Sequence, residues 1–144
     1  MANWNGIART NYVKVKDVDA LTKFLGSFNV EIHKHPTMPS YVMFSPGEMS
    51  DYGGFSYQAY DEDDNEIEFD WANDIASHLC EGQILIVHEV GWEKLRYLTG
   101  HAIAVTWDGR ETFLNIDDIY EKAREVFNLP SHPIATATYQ DTVA

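Results

Sequence analysis

The chain has 144 residues, of which 23 are acidic and 10 are Lys or Arg, giving a formal net charge of −13; hydrophobic residues make up 44% and aromatic residues 13%. That length suffices for a single domain, residues 1–144, with a core of its own. The acidic balance argues against direct binding to DNA, RNA or an anionic membrane. No apolar run approaches the roughly 18 residues that span a bilayer, and the N-terminus lacks the basic and apolar regions of a signal peptide. One cysteine, Cys80, leaves no internal disulfide and fits a reducing cytosol. The expectation is a cytoplasmic protein.

The negative charge is regional. Residues 35–93 contain thirteen acidic residues and no Lys or Arg, while the ten acidic residues elsewhere match all ten basic ones. The peak is the segment 61–70, where Asp61, Glu62, Asp63, Asp64, Glu66, Glu68 and Asp70 place seven carboxylates in ten positions.

In chain order, alternation over 11–16 predicts a half-buried strand. Asp17 then reads as an N-cap, and Val18, Leu21, Phe24, Leu25 and Phe28 at helical spacing predict a helix of about ten residues with Gly26 near its end. Residues 29–34 alternate again as a strand, and His35-Pro36 with Met38-Pro39 marks a turn. Short strands are expected over 40–44 and 55–60, separated by a loop carrying Gly53-Gly54. The acidic segment reads as a loop, and Asp70 caps a helix bearing Trp71, Ile75 and Leu79 that ends at Gly82. The β-branched run in 83–90 predicts a central strand. The apolar stretch 94–107 follows, with a bulge or bend expected at Gly100. Asp108-Gly109 makes a hairpin turn into a strand over 111–114. Asn115 with an acidic residue three positions on opens a helix bearing Ile116, Ile119, Tyr120, Ala123, Val126 and Phe127, stopped by Asn128 and Pro130. The tail 131–144 either adds a short strand at 134–139 or stays mobile. This order predicts an α+β fold, a mostly antiparallel sheet with about three helices packed on it.

Sequence motifs for chemistry are sparse. Asp61, Asp63 and Asn65 match positions 1, 3 and 5 of a calcium loop. Glu66 stands where the loop needs glycine and Ala72 where it needs a bidentate glutamate, so the match fails at both critical places. His33 and His35, two apart on a strand, point to one face and could share a metal or line a small-molecule site, without a third ligand placed by the sequence. Exposed histidines beside a proline turn are the simpler reading. His78 and Cys80 lie at a helix end whose dipole disfavours a thiolate. His88, Glu89 and His101 supply no evident triad, and no G-x-S-x-G motif or Gly-rich phosphate loop is present. No catalytic residue, metal site or cofactor is assigned. The aromatics around the acidic segment, Tyr52, Tyr57 and Tyr60 among them, suit a partner-binding surface, because aromatic anchors exclude water around charge-assisted contacts with Arg and Lys.

The segments Asn3-Trp4-Asn5-Gly6-Ile7-Ala8-Arg9-Thr10-Asn11-Tyr12, Val15-Lys16-Asp17, Glu93-Lys94-Leu95-Arg96-Tyr97-Leu98-Thr99-Gly100 and Ile116-Asp117-Asp118-Ile119-Tyr120 resemble a family of small, uncharacterised acidic proteins carried on plasmids, prophages and other mobile elements. The resemblance carries over no functional residue. It implies a context in which small acidic proteins inhibit host defence, of the anti-restriction or anti-CRISPR type, by occupying a nucleic-acid-binding groove. The expected function is therefore a non-enzymatic inhibitor whose acidic face mimics nucleic-acid charge. Asp61, Glu62, Asp63, Asp64, Glu66 and Glu68 would supply the field, and Tyr52, Tyr57 and Tyr60 the anchors, against a basic nucleic-acid-binding host protein or complex. The alternatives are a small-molecule or metal-binding domain near His33 and His35, possibly enzymatic, and a structural protein that self-associates through an exposed sheet edge.

Overall fold

A computed structural model describes residues 5–47, 53–93 and 97–136. Within them the chain runs through β1 (Asn5–Thr10), β2 (Val13–Lys14), α1 (Val18–Gly26), β3 (Val30–Lys34), β4 (Tyr41–Pro46), β5 (Gln58–Tyr60), β6 (Glu66–Glu68), β7 (Ile84–Glu93), β8 (Tyr97–Thr106), β9 (Glu111–Asn115) and α2 (Ile119–Val126). A π-helical turn, Trp71–Ile75, and a 3-10 turn, Ala76–His78, lie between β6 and β7; a further 3-10 turn, Ile116–Asp118, leads into α2. Every strand pair is antiparallel. The strands form a four-stranded sheet (β1-β7-β8-β9), a three-stranded sheet (β2-β4-β3) and the β5-β6 hairpin. The α+β class is thus observed, with β7 central as the apolar run requires.

The first two sheets are joined at a corner. Asn11 uses its side chain as a surrogate strand residue: Nδ2 donates to the Ile84 carbonyl (3.0 Å) and Oδ1 accepts from Ile86 N–H (2.8 Å). One residue earlier, the Thr10 hydroxyl accepts from Phe44 N–H at 2.8 Å and ties β1 to β4. This corner breaks the strand expected over 11–16 and leaves only Val13–Lys14. It also explains why β1 escapes sequence reading. Its inward residues are Gly6, Ala8 and Thr10, while its one large apolar residue, Ile7, faces out.

α1 follows the sequence expectation. Asp17 accepts from Ala20 N–H, and Leu21 and Leu25 are fully buried from the helical stripe. They join Val13, Val42, Phe44, Ile75, Leu79, Leu85, Val87 and Val105 in the core between the sheets. The helix expected from Trp71 to Gly82 is instead two short turns. Its far end is drawn into strand-like contact with β2: Val15 bridges Leu79, Lys16 N–H donates to the His78 carbonyl, and Cys80 N–H donates to that of Lys14. A continuing helix would forfeit those bonds. Two further expectations need correction. Only the second half of 55–60 is a strand, and the acidic segment is part of a hairpin because Glu66–Glu68 pairs with Gln58–Tyr60.

Gly100 forms no bulge; it pairs in register with Val90. A Cβ there would lie 2.9 Å from Ile116 Cγ2 and 3.3 Å from Val90 Cγ1, so the glycine makes room for Ile116 on the outer face of the sheet. α2 itself buries none of its residues. Residues 131–136 form no regular element, and the expectation for 137–144 lies outside the described residues.

Two glycines with positive φ separate backbone strain from close approach. At Gly53 (φ 71°) a Cβ would collide with the Gly6 carbonyl oxygen, whereas at Gly82 (φ 85°) nothing lies within 4 Å. Gly82→Ala should cost about 1–2 kcal/mol, the left-handed penalty alone. Gly53→Ala should cost about 3 kcal/mol or more, because the β1 backbone must also move. Urea unfolding of the two variants measures the difference; equal losses would show that the Gly6–Gly53 approach does not constrain the fold.

Candidate partner-binding surface

The acidic hairpin is built by two of its own carboxylates. Asp61 Oδ1 accepts from the N–H groups of Asp63 and Asn65, both at 2.9 Å, and Asp64 N–H donates to the Asp61 carbonyl at 3.1 Å. Asp64 takes φ 61°, a conformation that Asp tolerates better than most residues. The backbone N–H groups of Asn65 and then Asp63 hold the Asp61 carboxyl below the usual carboxylate range. At the other end, Asp70 accepts from Ala72 N–H (2.8 Å) and Asn73 N–H (3.0 Å), while its own N–H donates to Asp74 (2.8 Å).

The other five carboxylates, on Glu62, Asp63, Asp64, Glu66 and Glu68, are exposed. Register sets their direction. Ala59 and Ile67 are paired, half-buried and packed against the core; Tyr60 pairs with Glu66 and Gln58 with Glu68 on the exposed side. Since β5 contributes no acid, no two carboxylates face each other across the hairpin, which limits its self-repulsion. Tyr60 is 71% exposed and stands on this acidic face.

The base of the hairpin is aromatic. Phe69 N–H donates to the Tyr57 carbonyl (2.9 Å), and the Phe69 ring packs at 4.7 Å from Phe28, 5.2 Å from Tyr57 and 5.1 Å from Trp71. Trp71 Nε1–H donates to the Tyr57 hydroxyl at 2.9 Å, and that hydroxyl donates to Glu89 Oε2 at 3.3 Å. Glu89, its side chain only 12% exposed, also accepts from Phe55 N–H (2.8 Å) and pairs with His101 Nε2 (2.6 Å). Burial raises the Tyr57 hydroxyl above the ordinary tyrosine value; donation from Trp71 opposes this, and the Glu89 charge reinforces it.

The structure therefore gathers Glu62, Asp63, Asp64, Glu66, Glu68 and Tyr60 on one hairpin, with Asp61 as its charged turn-former. Tyr57 is not an exposed anchor; it is half-buried and its hydroxyl is engaged internally. Tyr52 lies outside the described residues. The Tyr57–Glu89–His101 chain escapes sequence reading because Glu89 and His101 become neighbours only through the β7–β8 register. Their matching parity on two adjacent apolar segments was the available signal.

The two histidines of the alternative site serve separate partners. His33 Nε2 lies 2.7 Å from Ser45 Oγ and 3.7 Å from Glu31. His35 Nδ1 accepts from Thr37 N–H (3.1 Å) and Met38 N–H (3.2 Å), while its ring packs edge-on to Tyr12. Among the described residues no group of three or more His, Cys, Asp or Glu is placed to hold a metal ion, and no helix is long and apolar enough to cross a membrane. Compared with known proteins, the chain matches no family, no curated protein and no solved structure.

Because the native state keeps Tyr57 protonated above the ordinary value of 10.0, its contribution is fully present below pH 10 and declines as pH rises further, where the unfolded chain ionises first. Tyr57→Phe should cost about 1–2 kcal/mol at neutral pH from the lost hydrogen bonds. It should also flatten the alkaline fall in the urea midpoint relative to the parent. Identical pH profiles for the two proteins would contradict this role.

Proposed function

We propose that this chain is a non-enzymatic binding protein whose acidic hairpin takes the place of nucleic-acid phosphates on a basic, nucleic-acid-binding protein surface. The observation that carries the proposal is the division of labour among the seven carboxylates. Two fix the hairpin and its exit, and five are presented to solvent around an exposed tyrosine. Glu66 and Glu68 project from the same side of a strand, about 6.6–6.8 Å apart along it. That is roughly two steps of the ~3.4 Å axial spacing of phosphates on one DNA strand. Carboxylates so placed can pair with Lys and Arg side chains that otherwise hold phosphates, and a pre-formed hairpin loses little entropy on docking. The resemblance to acidic mobile-element proteins directs the choice of partner toward a host defence complex of the CRISPR–Cas or restriction type, acting in the cytoplasm.

The test is capture from host lysate at low salt, using the parent and a variant carrying Asp63→Asn, Asp64→Asn, Glu66→Gln and Glu68→Gln, with Asp61 retained to preserve the turn. The parent should capture a nucleic-acid-binding complex, release it as salt rises and lose it to competing DNA or RNA. The variant should keep the parent's circular dichroism and associate at least about tenfold more slowly. Equal capture by both proteins would place the interface elsewhere.

A further inference from the structure

The four-stranded sheet is polar on the wrong side at one end. Toward the core, β7 and β8 present Glu89, Glu93, Thr99 and His101; on the opposite face lie Ile7, Val90, Trp92, Leu98 and Leu114, joined by Ile116 where it covers Gly100. Alternation in a one-sided sheet normally runs the other way. Directly beyond, α2 exposes Ile119 and Val126, and Phe127 follows them. The large apolar residues of this region are 40% to 73% exposed, from Trp92 to Leu98. Scattered apolar residues on a surface are ordinary, but a contiguous face of this kind marks an interaction site.

We propose that a second copy of this chain covers that face, the α2 ridge of each protomer lying on the sheet ledge of the other about a two-fold axis. Three observations favour a copy over an unrelated partner. Area is sufficient: at these exposures the nine side chains offer on the order of 1,000 Å² per protomer, comparable with the roughly 800 Å² per partner of a stable interface. Shape is compatible, because an apolar sheet face and an exposed helix lie side by side, with a groove of about 550 Å³ lined by Leu114, Ile116 and Ile119 and by the charged Asp118, Glu121, Lys122 and Glu125. An isologous pairing satisfies both at once. Charge also permits it. On the outward-facing positions of β1, β7, β8 and β9 the one formal charge among the described residues is Arg9, in a chain of net −13. Arg9 and His88 line a shallow groove on the ledge with Ile7 and Val90; the exposed charged side chains of α2 are Glu121, Lys122 and Glu125, of which the two acids have the sign to meet them. The acidic hairpin is tied through Tyr57 to Glu89 on the inner face, away from this contact.

Sedimentation velocity of the full chain across micromolar concentrations tests the proposal. The expected species has twice the 16.4 kDa chain mass. Leu98→Asp and Val126→Asp, both at exposed positions, should each weaken association at least about tenfold while leaving circular dichroism and the urea midpoint of the monomer unchanged. Arg9→Glu and Glu125→Arg should each weaken it and together restore it. A parent that stays monomeric throughout would overturn the proposal. So would a dimer indifferent to Leu98→Asp and Val126→Asp, or one in which the charge reversals fail to compensate. A chain ending at Thr136 that dimerises where the full chain does not would assign the face to residues 137–144, and would equally overturn it.

Discussion

The indole of Trp71 is where the three sheets meet. Its ring packs at 6.0 Å from Phe44 of the three-stranded sheet, and at 5.0 and 5.1 Å from Phe55 and Phe69 on either side of the acidic hairpin. Its N–H reaches the four-stranded sheet through Tyr57 and Glu89. A buried tryptophan needs a partner for its N–H, and a buried carboxylate needs several. One chain of hydrogen bonds satisfies Trp71, Tyr57, Glu89 and His101 together. Removing Tyr57 leaves the buried Trp71 N–H without this partner, so the network fixes one arrangement of the sheets more sharply than apolar packing alone.

That constraint makes the acidic hairpin workable. Carboxylates concentrated on a short two-stranded ribbon repel each other, and an isolated hairpin is at best marginally stable in water. Here the ribbon is fastened at its base to a cluster of packed rings, and at its tip by backbone N–H groups bound to Asp61. The aromatic base supplies rigidity while the exposed carboxylates supply field. The two surfaces of the protein are thereby separated in kind: a charged, pre-formed projection on one side, and on the other an apolar sheet face of near-neutral character. The first suits fast, salt-sensitive encounter, and the second suits contact whose strength comes from excluding water.

Much of this was legible in the sequence where local chemistry decides the outcome. Asp17 and the stripe Leu21–Leu25 fix α1, the run from Ile84 to Val87 fixes the central strand, and Asp108-Gly109 fixes the β8–β9 turn. Asp118 accepts from Asn115 N–H at 2.7 Å, the acidic half of the expected cap. The failures share a different cause. Small inward residues hide β1, the bridge of Val15 to Leu79 overrides helical spacing after Trp71, and Glu66–Glu68 becomes a strand only because Gln58–Tyr60 lies beside it. Each depends on a partner distant in sequence or on a register no local pattern encodes. The same holds for the candidate surface. The charge was plain in the composition, but which carboxylates build the turn, and that Tyr57 faces inward, follows only from the fold.

Amide hydrogen exchange on the complex captured from host lysate tests the central claim most directly. If the acidic hairpin occupies a nucleic-acid-binding surface, new protection should fall on residues 58–68 and vanish when DNA or RNA displaces the protein. Protection confined to residues 98–129, with 58–68 exchanging as in the free chain, would contradict it.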